Sequence, residues 1–161
     1  MIIFINGSIN SGKTTIARLL SQHIEKSALI EVDTLREMVA WMPIKEAVNI
    51  NLLNTVSLIR NFTTERIYCI VPYPISQENY WFLRKELSDI ISDVHFITLS
   101  PSIEIALSNR GTRILTKEEQ ERIKYHYSID IHNPSFGYKI IITKQTPEEI
   151  LKEVVTLLTT D

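Results

Sequence analysis

Short apolar runs alternate with longer helical patterns along this chain of 161 residues. Five runs rich in β-branched or aromatic side chains lie at residues 2–5, 28–32, 67–71, 94–99 and 138–142. Most of these runs are continuous rather than alternating, which is typical of parallel strands that helices cover on both faces. The pattern therefore predicts five largely buried strands.

Between these runs, apolar residues recur at the spacing of amphipathic helices, on faces within residues 16–24, 48–59 and 150–158. The last helix has a clear predicted start, with Thr146 as its cap, Pro147 in the first turn and Glu149 completing a capping box. Residues 116–119 repeat the capping-box pattern. Strands that alternate with helices predict a three-layer α/β fold with a parallel sheet, as a single domain over residues 1–161.

The first apolar run leads directly into a glycine-rich segment that matches G-x-x-x-x-G-K-[ST] in full. Its glycines allow a tight turn that brings backbone N–H groups onto phosphate oxygens, and the following helix adds its positive end. The lysine can reach the β- and γ-phosphates, and the threonine hydroxyl can bind Mg²⁺. The alternative is a glycine turn before a helix, but the flanking strand and helix favour a phosphate-binding loop (P-loop). The residues expected to contact the nucleotide are Gly7, Ser8, Ile9, Asn10, Ser11, Gly12, Lys13, Thr14 and Thr15.

The chain lacks the motifs that identify two other classes of nucleotide-hydrolysing protein, the GTPases and the motor or transporter ATPases. A GTPase needs a guanine-reading N-K-x-D after a late strand, whereas residues 143–146 read Thr-Lys-Gln-Thr. A motor or transporter ATPase usually places acidic residues after an apolar strand to hold Mg²⁺, whereas the third run leads into Pro72-Tyr73-Pro74. These absences favour a phosphotransferase over either class.

An acidic residue does follow the second apolar run, in Glu31-Val32-Asp33-Thr34-Leu35-Arg36. A carboxylate at the carboxyl end of such a strand points into the ligand crevice of an α/β sheet. There Asp33 can accept a proton from an acceptor hydroxyl or hold the metal through water, and Arg36 can pair with a polar acceptor. The alternatives are a helix N-cap for Asp33 and a surface position for Arg36.

A second basic cluster, Arg110-Gly111-Thr112-Arg113, lies between a helical pattern and the capping box at Thr116. Two arginines around a glycine suggest a lid that closes over the negative charge of a transferring phosphoryl group. A solvated basic turn is the alternative interpretation. Arg122 and Lys124 are expected to lie on a solvated helix face.

Taken together, these residues resemble the small P-loop kinases of the nucleoside-monophosphate-kinase and shikimate-kinase group, over nearly the whole chain. The resemblance implies that the P-loop holds ATP, that Asp33 serves the acceptor hydroxyl, and that Arg110 and Arg113 close over the phosphates. It also implies the sheet order 2-3-1-4-5, an acceptor-side helical segment at about 34–62 and a lid at about 110–128. An adenine slot between Arg110 and the loop that ends at Pro147 is implied in the same way.

Within this group, residues 1–14 and 70–75 look most like tunicamycin-resistance-type proteins. The P-loop followed by Val32-Asp33 is also similar to chloramphenicol phosphotransferase. The chain departs from shikimate kinase at two motifs, because Glu31 stands first where that family has D-x-D and Pro72-Tyr73-Pro74 replaces a glycine triplet.

If the resemblance holds, residues 34–62 and the turn at 72–76 line the acceptor side. Tyr73 is the expected substrate-binding residue there, because its turn follows the third strand at the carboxyl edge of the sheet. Trp41 and Met42 either extend that wall or belong to the core. Three asparagines offer hydrogen bonds or are solvated, and His126 either contacts substrate or is packed or exposed. The asparagines are Asn49, Asn51 and Asn54.

The composition restricts the partners and the location expected for the protein, but it does not indicate a functional site. The formal net charge of -2 provides no long-range attraction for nucleic acid or acidic membranes. No run approaches the ~20 apolar residues that a membrane span needs, and the single cysteine, Cys69, excludes an internal disulfide. We therefore expect a soluble, cytoplasmic protein with a small-molecule substrate and with neither a membrane nor a nucleic-acid partner. The oligomeric state stays open.

The sequence therefore predicts an ATP- and Mg²⁺-dependent phosphotransferase acting on a small molecule. Lys13, Asp33, Arg110 and Arg113 are the expected catalytic residues, and Thr14 is the expected magnesium ligand. Two alternatives remain, a nucleotide-binding regulatory or resistance protein without transfer activity and a kinase of nucleic-acid ends. The choice of ATP over GTP depends on the resemblance.

Overall fold

The computed structural model describes residues 1–90, 93–109 and 114–159. The described residues form five strands and seven helices. In chain order they are β1 (Ile2–Asn6), α1 (Lys13–His23), β2 (Ser27–Leu29), α2 (Val32–Glu37), α3 (Ile44–Thr64), β3 (Tyr68–Pro72), α4 (Gln77–Glu86), β4 (Val94–Pro101), α5 (Ile103–Leu107), α6 (Lys117–Ser128), β5 (Tyr138–Ile142) and α7 (Pro147–Thr159).

The five strands make one sheet in the order β2-β3-β1-β4-β5, and every neighbouring pair is parallel. Both the predicted order and the predicted parallel arrangement are therefore confirmed. β1 is the central strand, with Ile3 opposite Ile70 of β3 on one side and His95 of β4 on the other. The chain leaves β1 from the middle of the carboxyl edge of the sheet, where open α/β sheets bind ligands.

Alternate side chains of the central strands point into two separate cores, which makes the three layers. In β1, Ile2 and Phe4 face one core, and Ile3 and Ile5 face the other. The first core is completed by α3, through Leu52, Val56 and Ile59, and by Leu83 of α4 with its C-cap residue Leu87. The second core is completed by α1 and α7, through Ile16, Ala17, Leu20, Ile150 and Val154.

The second strand is shorter than the apolar run at 28–32 predicts. β2 ends at Leu29, and Glu31 is already the N-cap residue of α2, whose first turn contains Asp33. The chain turns here because the backbone N–H of Thr34 bonds the Glu31 carbonyl at 3.0 Å. Asp33 is thus neither at a strand end nor an N-cap, and β2 is an edge strand that pairs with β3 rather than β1.

The two predicted capping boxes are present. At α6, Thr116 Oγ1 accepts from the Glu119 N–H at 3.1 Å, and Glu119 Oε2 accepts from the Thr116 N–H at 2.9 Å. Thr146 and Glu149 make the same reciprocal pair at α7, at 3.2 and 2.8 Å. Each pair satisfies two N–H groups that a helix start would otherwise leave open.

The predicted acceptor-side segment at about 34–62 corresponds to α2 and α3, and the predicted lid at about 110–128 overlaps α6. The lid arginines Arg110 and Arg113 lie outside the described residues. None of the helices formed by the described residues combines the length and hydropathy that a bilayer crossing requires.

Candidate active site

The loop between β1 and α1 has a backbone that only its two glycines accommodate easily. Gly7 has φ of 149° and Gly12 has φ of 94°, both in the region that L-residues avoid. A Cβ on Gly7 would also approach the Leu99 carbonyl oxygen of β4 to 2.8 Å. The loop is therefore turned tightly against the sheet, with Gly12 at the N-terminus of α1.

Side chains hold the same loop from the direction of α5 and α6. Asn10 Nδ2 donates to the carbonyl oxygens of Ala106 and Ser108, both at 2.9 Å. The hydroxyl of Ser8, which is fully buried, is 3.2 Å from Nδ1 of His126. The loop is thus shaped by the protein itself, before any ligand contributes contacts.

Lys13 reaches across this loop, because its Nζ donates to the Ser8 carbonyl oxygen at 3.2 Å. Ser11 is 1% exposed, and its Oγ has no hydrogen-bond partner within the described part of the chain. A buried hydroxyl without a partner normally costs stability, so its retention in a loop of this shape indicates a ligand that completes it. Phosphate oxygens are suitable acceptors for such a hydroxyl, for the loop amides and for the lysine.

A groove of about 340 Å³ runs along the outer side of the loop. It is lined by residues 10–16 of the loop and α1 and, on the opposite wall, by Gln145, Pro147 and Ile150 at the start of α7. Thr15 is exposed within this groove. The place proposed for the adenine slot, next to Pro147, is therefore continuous with the phosphate-binding loop.

A second cavity, of about 480 Å³, lies on the inner side of the loop. It is enclosed by the start of α2, the start of α3, the turn after β3 and one face of α6. Lys13 lines both this cavity and the groove. A phosphate group bound at Lys13 would therefore border both the groove and the second cavity.

The three residues predicted to bind substrate all line the second cavity, namely Asp33, Arg36 and Tyr73. Tyr73 is held in place by a bond from its N–H to the Ile5 carbonyl at 3.1 Å. Burial raises its phenol pKa, as does the negative charge of Asp33, while Arg122 opposes the rise. Glu31 turns away from the site, since it accepts two bonds from Arg18, at 3.0 and 2.8 Å.

Both interpretations of Trp41 and Met42 are wrong, whereas the exposure of Asn49 and Asn54 agrees with the solvated alternative. Trp41 is 80% exposed and lies neither in the core nor among the residues that line the cavity. Met42 is half-buried, Asn49 and Asn54 are exposed, and none of the three lines the cavity. The reason is that residues 38–43 separate α2 from α3 on the outer surface, so only the inward face of each helix reaches the ligand crevice.

Three residues that sequence reasoning ranked low do line the cavity, namely Asn51, Arg122 and His126. Glu118, Arg122 and His126 follow one another at intervals of one helical turn on the same face of α6. Lys124 lies outside the cavity lining and pairs with Glu121 at 2.7 Å. The i, i+4 spacing of Glu118, Arg122 and His126 was the available signal. Nothing in the sequence distinguished Asn51 from its neighbouring asparagines.

Asn6, at the end of β1, ties the elements around the site together. It is fully buried, and its Nδ2 donates to Thr98 Oγ1 at 3.0 Å and to the Ile131 carbonyl at 3.1 Å. Its Oδ1 accepts from the N–H of Ile75 at 2.7 Å. The Asn6 side chain thus connects the end of β1, where the P-loop begins, with β4, the turn after β3 and the segment after α6.

Magnesium would have few protein ligands at this site. Within residues 1–90, 93–109 and 114–159, no group of three or more His, Cys, Asp or Glu side chains could hold a metal ion. Mg²⁺ at nucleotide sites uses one or two protein oxygens and completes its shell with phosphates and water. The half-buried Thr14 lines the groove and Asp33 lines the second cavity, and each offers an oxygen ligand of this kind.

No protein-family profile and no curated protein sequence matches the chain. Solved structures with low identity do match over nearly its full length. A sugar kinase from Janibacter sp. HTCC2649 has a TM-score of 0.74 at 16% identity, covering 98% of this chain and 93% of that chain. The tunicamycin resistance protein of Deinococcus radiodurans has a TM-score of 0.70 at 18% identity, covering 99% and 96%. Shikimate kinase from Acinetobacter baumannii, solved with shikimate, has a TM-score of 0.63 at 15% identity, covering 98% and 92%. The chain therefore has the fold of the small P-loop kinases.

Proposed function

We propose that this protein is an ATP- and Mg²⁺-dependent phosphotransferase that moves the γ-phosphoryl group to a hydroxyl of a small molecule. The observation that carries the proposal is the position of Lys13, which crosses the P-loop and lines both the groove and the second cavity. Two ligand spaces that meet at one phosphate-binding lysine are what transfer between two bound molecules requires. The kinase fold of the structural neighbours supports the same proposal.

In this proposal the nucleotide occupies the groove, with its base beside Pro147 and its phosphates in the loop 7–14. The loop amides and the Ser11 hydroxyl bind phosphate oxygens, and Lys13 reaches the β- and γ-phosphates. Mg²⁺, held by Thr14, would neutralise charge on the phosphate oxygens. Arg110 and Arg113 remain proposed partners of the transferring group.

The acceptor occupies the second cavity with its hydroxyl between Asp33 and the γ-phosphate. Its oxygen attacks the γ-phosphorus in line, and a new P–O bond forms while the bond to the β,γ-bridging oxygen breaks. The proton of the hydroxyl passes to Asp33, and the electron pair of the broken bond leaves with ADP. Arg36 and Tyr73 position the acceptor.

Replacing Lys13 and Asp33 separates binding from transfer. We expect Lys13→Met to abolish Mg²⁺-dependent ATP affinity, and Asp33→Asn to leave that affinity unchanged while lowering transfer ~10²- to 10⁴-fold. Titration calorimetry measures binding, and transfer of labelled phosphate from γ-labelled ATP to a panel of hydroxylated small molecules measures the reaction.

Two matched variants serve as controls. Lys124→Met removes an exposed lysine that pairs with Glu121 on α6 outside the cavity, and Asp130→Asn removes a carboxylate at φ of 55°, which asparagine tolerates. Both are expected to behave like the wild type. Absence of Mg²⁺-dependent affinity for any nucleoside triphosphate would refute the proposal. Binding without transfer to any acceptor would instead favour a nucleotide-binding protein.

A further inference from the structure

The second cavity has a neutral floor and a charged rim. The buried residues that line it include Val32, Asn51 and His126, which are 1%, 4% and 4% exposed. The charged side chains that line the cavity are more accessible: Asp33, Glu118 and Arg122 are exposed, and Lys13, Arg36 and Glu119 are half-buried. A ligand that enters beyond the rim therefore leaves the charged groups and meets neutral ones.

Asn51 is the most informative residue of this floor. Its side-chain Oδ1 is buried and has no hydrogen-bond partner among the residues that the structure describes, although Asn51 lines a cavity of about 480 Å³. The nearby hydroxyl of Thr55 donates to the Asn51 carbonyl, not to its side chain. A buried amide oxygen without a donor lowers stability, so its place beside an open cavity indicates a ligand that supplies the donor.

The other polar groups of the floor stay uncharged near neutral pH. Burial, together with the nearby cations Arg122 and Lys13, lowers the pKa of His126 to about 4. Burial raises the pKa of the Tyr73 phenol, which therefore keeps its proton. Among the described residues, the cations that line the cavity are half-buried or exposed, namely Lys13, Arg36 and Arg122. A carboxylate or a second phosphate on the floor would therefore be desolvated away from these cations.

Apolar side chains cover part of the same space, from α3 through Ile44 and Val48 and from the turn after β3 through Pro74. Apolar side chains of this kind pack favourably against the C–H groups of a ligand's ring or carbon chain, and less favourably against its polar groups. The cavity therefore combines an apolar wall, an unpaired hydrogen-bond acceptor and a carboxylate at the rim.

We propose that the acceptor is an uncharged, multiply hydroxylated small molecule, and that Asn51 selects it by accepting a hydrogen bond from a hydroxyl other than the one that is phosphorylated. This inference rests on the proposed function for the location of the acceptor. It excludes phosphate esters as preferred substrates, and it makes Asn51 a specificity-determining residue.

Binding in the absence of turnover tests the inference directly. The wild-type protein, saturated with Mg²⁺ and the non-hydrolysable analogue AMPPNP, is titrated with glucose, ribose, myo-inositol and uridine, and with the monophosphate of each, by ligand-observed NMR. We expect at least one uncharged compound to bind ten times more tightly than its monophosphate. Tighter binding of the monophosphates, or no binding by either set, would overturn the inference.

Substitution of Asn51 distinguishes a binding role from a structural one. Leucine has the same branching as asparagine, so Asn51→Leu removes the polar atoms with little change of shape. We expect it to weaken binding of the uncharged compound about 10- to 100-fold, with unchanged AMPPNP affinity and a Tm equal to or above the wild type. Asn54→Ala, on the exposed side of α3, is the matched control and should change none of these quantities.

The inference and the proposed function fail in different ways. Binding of an uncharged compound through Asn51 without phosphoryl transfer from ATP would refute the proposed function and leave the binding role of Asn51 intact. Transfer to a monophosphate in preference to its uncharged parent would refute the inference and leave the proposed function intact. Unchanged binding in Asn51→Leu, or a large loss of Tm, would also refute the role assigned to Asn51.

Discussion

His126 joins the phosphate-binding loop to α6 through a buried contact, 3.2 Å from its Nδ1 to the Ser8 hydroxyl. Burial and the two neighbouring cations keep the ring neutral, with its pKa at about 4. A protonated ring would be a third positive charge beside Lys13 and Arg122. Near neutral pH the contact is therefore made by the uncharged ring.

This dependence predicts a pH effect on stability. Histidine in the unfolded chain takes up its proton near pH 6.5, whereas His126 in the folded chain does so near pH 4, so protonation favours unfolding. The stabilisation is present above pH 6.5 and is lost as the pH falls towards 4. We expect His126 to account for about 2 kcal/mol of this loss, less than the full shift implies because the ring borders an open cavity.

Urea denaturation of the wild type and of His126→Gln between pH 4 and 7.5 measures this contribution. The difference in unfolding free energy between the two proteins should shrink steadily as the pH falls. Arg122→Gln removes one of the cations that lower the pKa of His126 and should give a smaller decline than the wild type. Parallel curves for wild type and His126→Gln would show that His126 does not titrate in this way.

Helices α6 and α7 begin with the same capping box, and each start lies beside one of the two ligand spaces. Thr116 lines the second cavity, and Pro147 in the first turn of α7 lines the groove. The caps satisfy backbone N–H groups that would otherwise need water, and so they stabilise the first turn of each helix beside its ligand space. Each cap therefore contributes to stability and to the shape of one binding site.

We expect Thr116→Ala and Thr146→Ala each to lower the free energy of unfolding by about 1 kcal/mol, the usual cost of removing a helix N-cap. Thermal or chemical denaturation monitored by circular dichroism measures both. Ser57→Ala, at an exposed position within α3 where the hydroxyl bonds its own helix, should change stability by less than about 0.5 kcal/mol. Equal effects of the three substitutions would contradict the capping roles.

The molecule as a whole is organised around β1 and β3, whose side chains contribute to both cores. Cys69 lies within β3, is fully buried, and burial raises its thiol pKa to about 11. A thiolate is the reactive form, so this cysteine is unreactive while the sheet is closed. Because it is the single cysteine of the chain, its labelling reports opening of the sheet.

We expect labelling of Cys69 by an aromatic disulfide reagent at pH 8 to be slow in native buffer and to become fast in denaturant. Addition of ATP and Mg²⁺ should slow it by the factor 1 + [ATP]/Kd, since a ligand that binds only the folded state lowers the open population. Cys69→Ala supplies the unlabelled control. Rapid labelling in native buffer would contradict the burial of this strand in solution.

Local patterns were sufficient wherever a feature depends on neighbouring residues in the chain. The two capping boxes, the start of α7 and the glycine turn before Lys13 follow from side chains within a few residues of one another. The parallel sheet followed from continuous apolar runs separated by helices. Tertiary context altered the burial of β5, where Tyr138 and Ile141 are exposed while Ile140 and Ile142 are buried, because it is an edge strand.

The sequence by itself determined the phosphate-binding loop and the α/β architecture, because turn geometry, capping and burial on two faces are encoded in short stretches of chain. Only the tertiary structure decided which polar residues meet in the second cavity. Asn51, His126 and Tyr73 come from three different elements, and the choice of Asn51 over Asn49 and Asn54 depends on which face of α3 packs inward. Such contacts depend on the packing of distant elements, and no local pattern specifies them.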